Sequence, residues 1–160
     1  QQADLTEAEK AIAIKRDPSR GSAFNVRGRI YLEQSQWQKA EIAFRRAIQL
    51  APESAFAYNN LGLVYLRSGR FEEAVEILEM AILKTPLRSY MYNNLGLAYE
   101  KTARILQAGQ SYEKALAMNA NYVKARVNAQ RLAPRRCSVR TRASVALTSP
   151  TIKRQALFGT

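Results

Sequence analysis

The sequence predicts an all-α solenoid, a stack of one repeated supersecondary unit, and two observations predict it. Tyr58-Asn59-Asn60-Leu61-Gly62-Leu63-Val64-Tyr65 returns 34 residues later as Tyr92-Asn93-Asn94-Leu95-Gly96-Leu97-Ala98-Tyr99, identical at seven of eight positions. The same spacing relates Gly28, Gly62 and Gly96; Tyr31, Tyr65 and Tyr99; Ala40, Ala74 and Ala108; Ala47, Ala81 and Ala115; and Pro18, Pro52 and Pro86. A fixed period of this length marks stacked units, none of which buries its apolar face alone.

Aromatic, Leu, Gly, Tyr, Ala, bulky apolar, Ala and Pro at these offsets resemble the tetratricopeptide repeat, a 34-residue helix–turn–helix, over roughly residues 19–120. The resemblance implies a right-handed solenoid of about three repeats, with first helices on a concave side and second helices on a convex side. Three positions depart from the pattern. Arg27 stands where the other copies have Leu61 and Leu95, Ala103 replaces the turn residue Gly69, and Ala120 replaces the closing Pro. An incompletely covered face before repeat 1, an altered turn and a fading last repeat are the corresponding expectations.

Taken in order, residues 4–16 read as one helix, with Leu5, Ala8 and Ile12 on a common face, ended by Asp17-Pro18. Residues 1–18 are therefore expected to form an N-terminal half-repeat whose uncovered apolar face is either the cut edge of a longer protein or a docking surface. Repeat 1 (about 19–52) carries Phe24, Gly28 and Tyr31, then Trp37, Ala40, Phe44 and Ala47. Repeat 2 (53–86) carries Tyr58, Gly62 and Tyr65, then Phe71, Ala74, Leu78 and Ala81. Repeat 3 (87–120) carries Tyr92, Gly96 and Tyr99, then Ile105, Ala108, Tyr112 and Ala115. Small residues admit a close helix and the aromatics fill the space opposite, so these are core positions. Residues 121–133 form a polar cap helix that closes the 19–133 repeat domain. Pro134 is expected to stop it, leaving 134–160 as a basic, mostly disordered tail.

Composition excludes several chemistries. Histidine is absent, which removes imidazole nucleophile activation and metal ligation, and the single Cys137 forms neither an internal disulfide nor a zinc site. Gly62 and Gly96 sit inside helices, and Glu72, Glu73, Glu76 and Glu79 read as a solvated helix face. No catalytic residue, cofactor or metal site is expected. No apolar run reaches the ~18 residues of a membrane span. The net charge of +12 is half accounted for by Arg135, Arg136, Arg140, Arg142, Lys153 and Arg154 in the acid-free tail. The chain begins at Gln1 without Met, as a processed chain or a fragment would.

The expected binding surface is the groove of the first helices. Two asparagine rows run along it, Asn25, Asn59 and Asn93 in one and Asn60, Asn94 and Asn128 in the next, where repeat 1 has Val26. Asn costs about 0.5 kcal/mol relative to Ala inside a helix, so six register-matched copies need a reason. Each amide offers one acceptor and two donors, matching an extended peptide backbone. The alternatives are amide bonds between neighbouring repeats, or duplication without selection. Asn60, Asn94 and Asn128 resemble the asparagine ladder in the tetratricopeptide superhelix of O-GlcNAc transferase. Phe56 and Tyr90 are candidate apolar contacts, and Arg29, Arg67, Lys101, Lys124 and Arg131 give the groove a basic character opposed mainly by Glu33 and Glu100.

These features point to a non-enzymatic adaptor for an extended protein or peptide partner of acidic or carboxy-terminal character. The dicarboxylate clamp of chaperone-binding tetratricopeptide domains fits poorly. Across repeats 2, 3 and the cap only Asn94 and Lys124 match it, while Asn59, Leu63 and Asn128 stand where Lys, Asn and Arg belong. Two other readings remain: homo-oligomeric stacking through the repeat ends, and weak electrostatic attraction of anionic partners by the tail, with no motif for specific nucleic-acid recognition.

Overall fold

Seven helices follow one another along the described part of the chain, joined by short connections. They are α1 (Pro18–Glu33), α2 (Trp37–Leu50), α3 (Ala55–Ser68), α4 (Phe71–Lys84), α5 (Ser89–Lys101), α6 (Ile105–Met118) and α7 (Val123–Thr148). A computed structural model describes residues 18–148. The expected helix at 4–16 and the end of the expected tail, 149–160, lie outside the described residues.

Each hairpin is closed by the small-on-large packing that the 34-residue spacing dictates. Phe44, Leu78 and Tyr112 are fully buried. A Cβ added to the glycine opposite each of them, Gly28, Gly62 or Gly96, would lie only 2.6, 2.5 or 2.6 Å from the facing side chain. Ala40, Ala74 and Ala108, and Ala47, Ala81 and Ala115, complete the seam with no more than 1% exposure. Successive hairpins then stack, α2 on α3, α4 on α5 and α6 on α7. The first helices also touch one another, α1 with α3, α3 with α5 and α5 with α7. They therefore share one continuous face.

The two later departures from the repeat leave the backbone unchanged. Ala103 does not alter its turn: Ser35, Gly69 and Ala103 all take left-handed backbone, with φ of 57°, 80° and 59°. In each turn the following amide closes on the recurring tyrosine carbonyl, Gln36 to Tyr31, Arg70 to Tyr65 and Arg104 to Tyr99, at 2.8–2.9 Å. That closure satisfies the last carbonyls of the first helix and holds even a non-glycine residue in place. Nor does the last repeat fade at Ala120. Asn119 caps α6 with φ −148° and ψ 94°, matching Thr85 after α4 at −149° and 92°.

Pro134 does not stop the cap helix, as the sequence leads one to expect; α7 passes through it to Thr148. Proline removes the bond to the carbonyl four residues back, here that of Gln130. Gln130 and Pro134 are both exposed, so water can take the freed carbonyl. The covering expected to be incomplete at Arg27 does differ from that of the later repeats. Arg27 and Ile30 are exposed, whereas Leu61, Val64, Leu95 and Ala98 at the matching positions are buried.

Left-handed backbone costs a Cβ-bearing residue roughly 1–2 kcal/mol. Ala103→Gly should recover about 1 kcal/mol of this and raise the thermal midpoint by several degrees, measured by circular dichroism. A midpoint at or below wild type would show that the turn carries no strain.

Candidate functional site

The face shared by α1, α3, α5 and α7 presents the two asparagine rows, and they do different things. Nδ2 of Asn60 donates to Oδ1 of Asn25, Asn94 to Asn59, and Asn128 to Asn93, each at 3.0 Å. Every bond joins one repeat to the next. Asn59 and Asn93 are 4% and 5% exposed, which corrects their expected place in the groove: they are stacking residues. Successive residues of a helix point about 100° apart, and here that rotation turns one row into the repeat junction and leaves the next partly open. Asn60, Asn94 and Asn128 are only partly buried. One bond leaves each of them a second N–H and a carbonyl of hydrogen-bonding capacity.

The other expected groove residues separate in the same way. Arg29 and Lys124 are exposed, and Phe56 is half-exposed beneath the Arg88 guanidinium, 5.8 Å from its ring centre. Tyr90 packs on Ala55, Ala81 and Met91. Its hydroxyl is buried without a hydrogen-bond partner among the described residues, and burial pushes its pKa up. Arg67 stands at the turn end of α3, lining a separate cleft with Trp37, Glu41 and Arg70. Lys101 Nζ lies 5.8 Å from the Phe71 ring. Amides, one aromatic and two cations thus share the face, while Arg67 and Lys101 belong to the turns.

Two carboxylates join neighbouring repeats, Glu100, which the sequence sets against the basic groove residues, and Glu41. Glu100 is 9% exposed and accepts from both terminal nitrogens of Arg131 at 2.5 and 2.8 Å, from Tyr112 Oη at 3.1 Å and from Arg135 at 3.4 Å. Arg131 is therefore engaged in fixing α7 on α5. Burial works to raise the Glu100 pKa, but the hydrogen bonds from Arg131 and Tyr112 and the charges of Arg131 and Arg135 outweigh it, and the net shift is downward. Glu41 joins repeats 1 and 2 in the same manner, accepting from Arg45 at 3.0 Å, Arg70 at 2.6 Å and Tyr65 Oη at 2.9 Å. No periodic signal marks either residue, since neither glutamate recurs at the 34-residue spacing.

A cleft of about 460 Å³ opens at the N-terminal end of the face, lined in part by Ser22, Asn25 and Phe56. Among the described residues no cluster of His, Cys, Asp and Glu could hold a metal ion, and no helix is long and apolar enough to cross a membrane.

Comparison with protein families matches the tetratricopeptide repeat at residues 19–82 and again at 59–130. The chain belongs to the tetratricopeptide repeat family. Among solved structures, the first tetratricopeptide domain of Spaghetti (RPAP3), bound to an HSP90 peptide SRMEEVD, superposes with a TM-score of 0.75 at 18% identity over 78% of this chain and 99% of that one. The Sgt2 domain of Aspergillus fumigatus gives 0.72 at 21% over 92% and 95%. The second domain of human RPAP3, in complex with the HSP70 peptide SGPTIEEVD, gives 0.69 at 20% over 72% and 98%. At these identities the likeness establishes the fold of this tetratricopeptide array. No curated protein sequence matches it.

Glu100 has a lowered folded-state pKa, so the stability it confers is present above the ordinary carboxylate range, roughly pH 4, and is lost as pH falls through the folded-state value. Glu100→Gln should lower the midpoint at pH 7 and flatten the acid limb of a midpoint-versus-pH curve; an unchanged acid limb would remove this assignment. Separately, a double-mutant cycle of Asn59→Ala and Asn94→Ala in urea should give a coupling of about 1 kcal/mol. Additive losses would mean that the amides do not join the repeats.

Proposed function

We propose that this tetratricopeptide array is a non-enzymatic adaptor that holds an extended peptide along α1, α3, α5 and α7. One observation carries the proposal: Asn60, Asn94 and Asn128 form a partly open row in which every amide is already fixed by the neighbouring repeat. A side chain ordered before the ligand arrives loses less entropy on binding. The remaining carbonyl and N–H of each amide suit the backbone of an extended segment, whatever its side chains.

Arg29 and Lys124, exposed at opposite ends of the row, favour an acidic or carboxy-terminal segment. Two of the similar domains were solved with peptides ending in EEVD, which supports this class of ligand. The clamp expected for such ligands is incomplete here, with Asn59 buried and Asn128 where an Arg belongs. Amides in place of cations predict weaker charge dependence and a broader choice of sequence.

Fluorescence polarisation with labelled SRMEEVD tests the reading. Wild type should bind with an affinity only mildly sensitive to salt. The triple variant Asn60→Ala, Asn94→Ala, Asn128→Ala should bind about tenfold or more weakly while keeping its helical signal. Equal affinity of the two proteins would sink the amide row as a peptide grip.

A further inference from the structure

The position occupied by Ser22 in α1 is occupied by Phe56 in α3, Tyr90 in α5 and Lys124 in α7. At the junction of repeats 2 and 3 the large Phe56 stands before Tyr90. At the junction of repeats 1 and 2 the small Ser22 stands before Phe56, and there the cleft of about 460 Å³ is found. Its apolar wall is Leu50, Ala51 and Pro52 from the end of α2 with the half-exposed ring of Phe56, and Ser22, Asn25, Glu53 and Ser54 complete the lining. Glu53, on the same rim, is already held by Lys84 Nζ at 3.0 Å from each carboxylate oxygen. Among the described residues that line the cleft, the one carboxylate is thus paired with a cation. Asn25 is shared, lining the cleft and accepting the amide of Asn60.

We propose that this cleft is the specificity pocket of the groove and receives one apolar side chain, of leucine to phenylalanine size, from the extended peptide that the amide row holds. The inference rests on the peptide-binding reading above and adds a sequence requirement to it. The amides grip the backbone without reading side chains, so selectivity has to come from a concave apolar surface beside them. This cleft is continuous with the first rung of the row. Position 22 carries a small side chain where the next two repeats carry Phe56 and Tyr90, and Ser22 lines the cleft beside Phe56.

A random-peptide display library, selected on wild type and on Ser22→Phe, tests the proposal. Phe is the residue that the next repeat carries at this position, so the substitution narrows the cleft with a side chain that the next repeat accommodates there. Peptides selected on wild type should share an apolar residue at one register, and its replacement by Ser should weaken binding about tenfold or more. In Ser22→Phe the same replacement should change affinity by less than about twofold, and the register should vanish from selected sequences. Selected peptides that tolerate Ser at every position on wild type, yet lose affinity with Asn94→Ala, would overturn the pocket and leave the amide row standing. Failure of any library member to bind wild type would overturn both. The wild-type Ser scan decides the matter even if Ser22→Phe folds poorly.

Discussion

Everything on the shared face depends on how closely the two helices of a hairpin approach. With Phe44 against Gly28, Leu78 against Gly62 and Tyr112 against Gly96, the approach is fixed by contact between a large side chain and bare backbone. Interiors packed at crystal-like density transmit such constraints instead of absorbing them. Repeated at equal intervals, the same contact gives each hairpin the same closure, and like hairpins stack in a like way. Only then can three asparagine pairs bridge consecutive repeats at an identical 3.0 Å. The polar row is therefore a product of the apolar seam beneath it.

The division of labour between the rows also resolves the cost of asparagine in helices. A half-buried amide bonded across a repeat junction offsets its poor helix propensity with a hydrogen bond worth about 0.5–1.5 kcal/mol net. Removing Asn94 or Asn128 would leave the buried amide of Asn59 or Asn93 without its partner, which costs more than the bond contributes. The same logic governs Glu100. One buried carboxylate held by Tyr112, Arg131 and Arg135 fastens α7, and the charge is tolerable because its oxygens are met by several donors. The last helix is thus joined to the stack by an ion cluster as well as by Leu132 in the apolar cluster of Ile105, Ala108 and Tyr112.

Most of the fold was legible because a 34-residue spacing of small and large residues repeats a packing rule, and such a rule is visible in one dimension. Glu100 and Glu41 were opaque for the converse reason: neither recurs at the repeat spacing, and their partners Tyr65, Arg70, Arg131 and Arg135 are brought from 24 to 35 residues away by stacking. The asparagine rows were half legible. Their register was plain, but which row faces outward depends on a rotation of about 100° per residue that spacing along the chain does not reveal. Pro134 was misjudged because proline's effect depends on whether the carbonyl it orphans is wet, a property of the folded surface. The turn at Ala103 differs from the expectation because the backbone bond from Arg104 to the Tyr99 carbonyl closes it whether or not the left-handed residue is glycine.

The amide row has polarity along the array. Asn60 and Asn94 reach back to the preceding repeat while Asn59 and Asn93 receive from the following one, so each interior unit carries both halves of a joint. A duplicated interior unit would arrive with its own coupling to both neighbours and would lengthen the row by one rung. A copy of the first unit would not, since Val26 has nothing to donate. Growth of such an array by recombination is thereby channelled to its middle, where an unequal crossover yields a longer ladder in a single step.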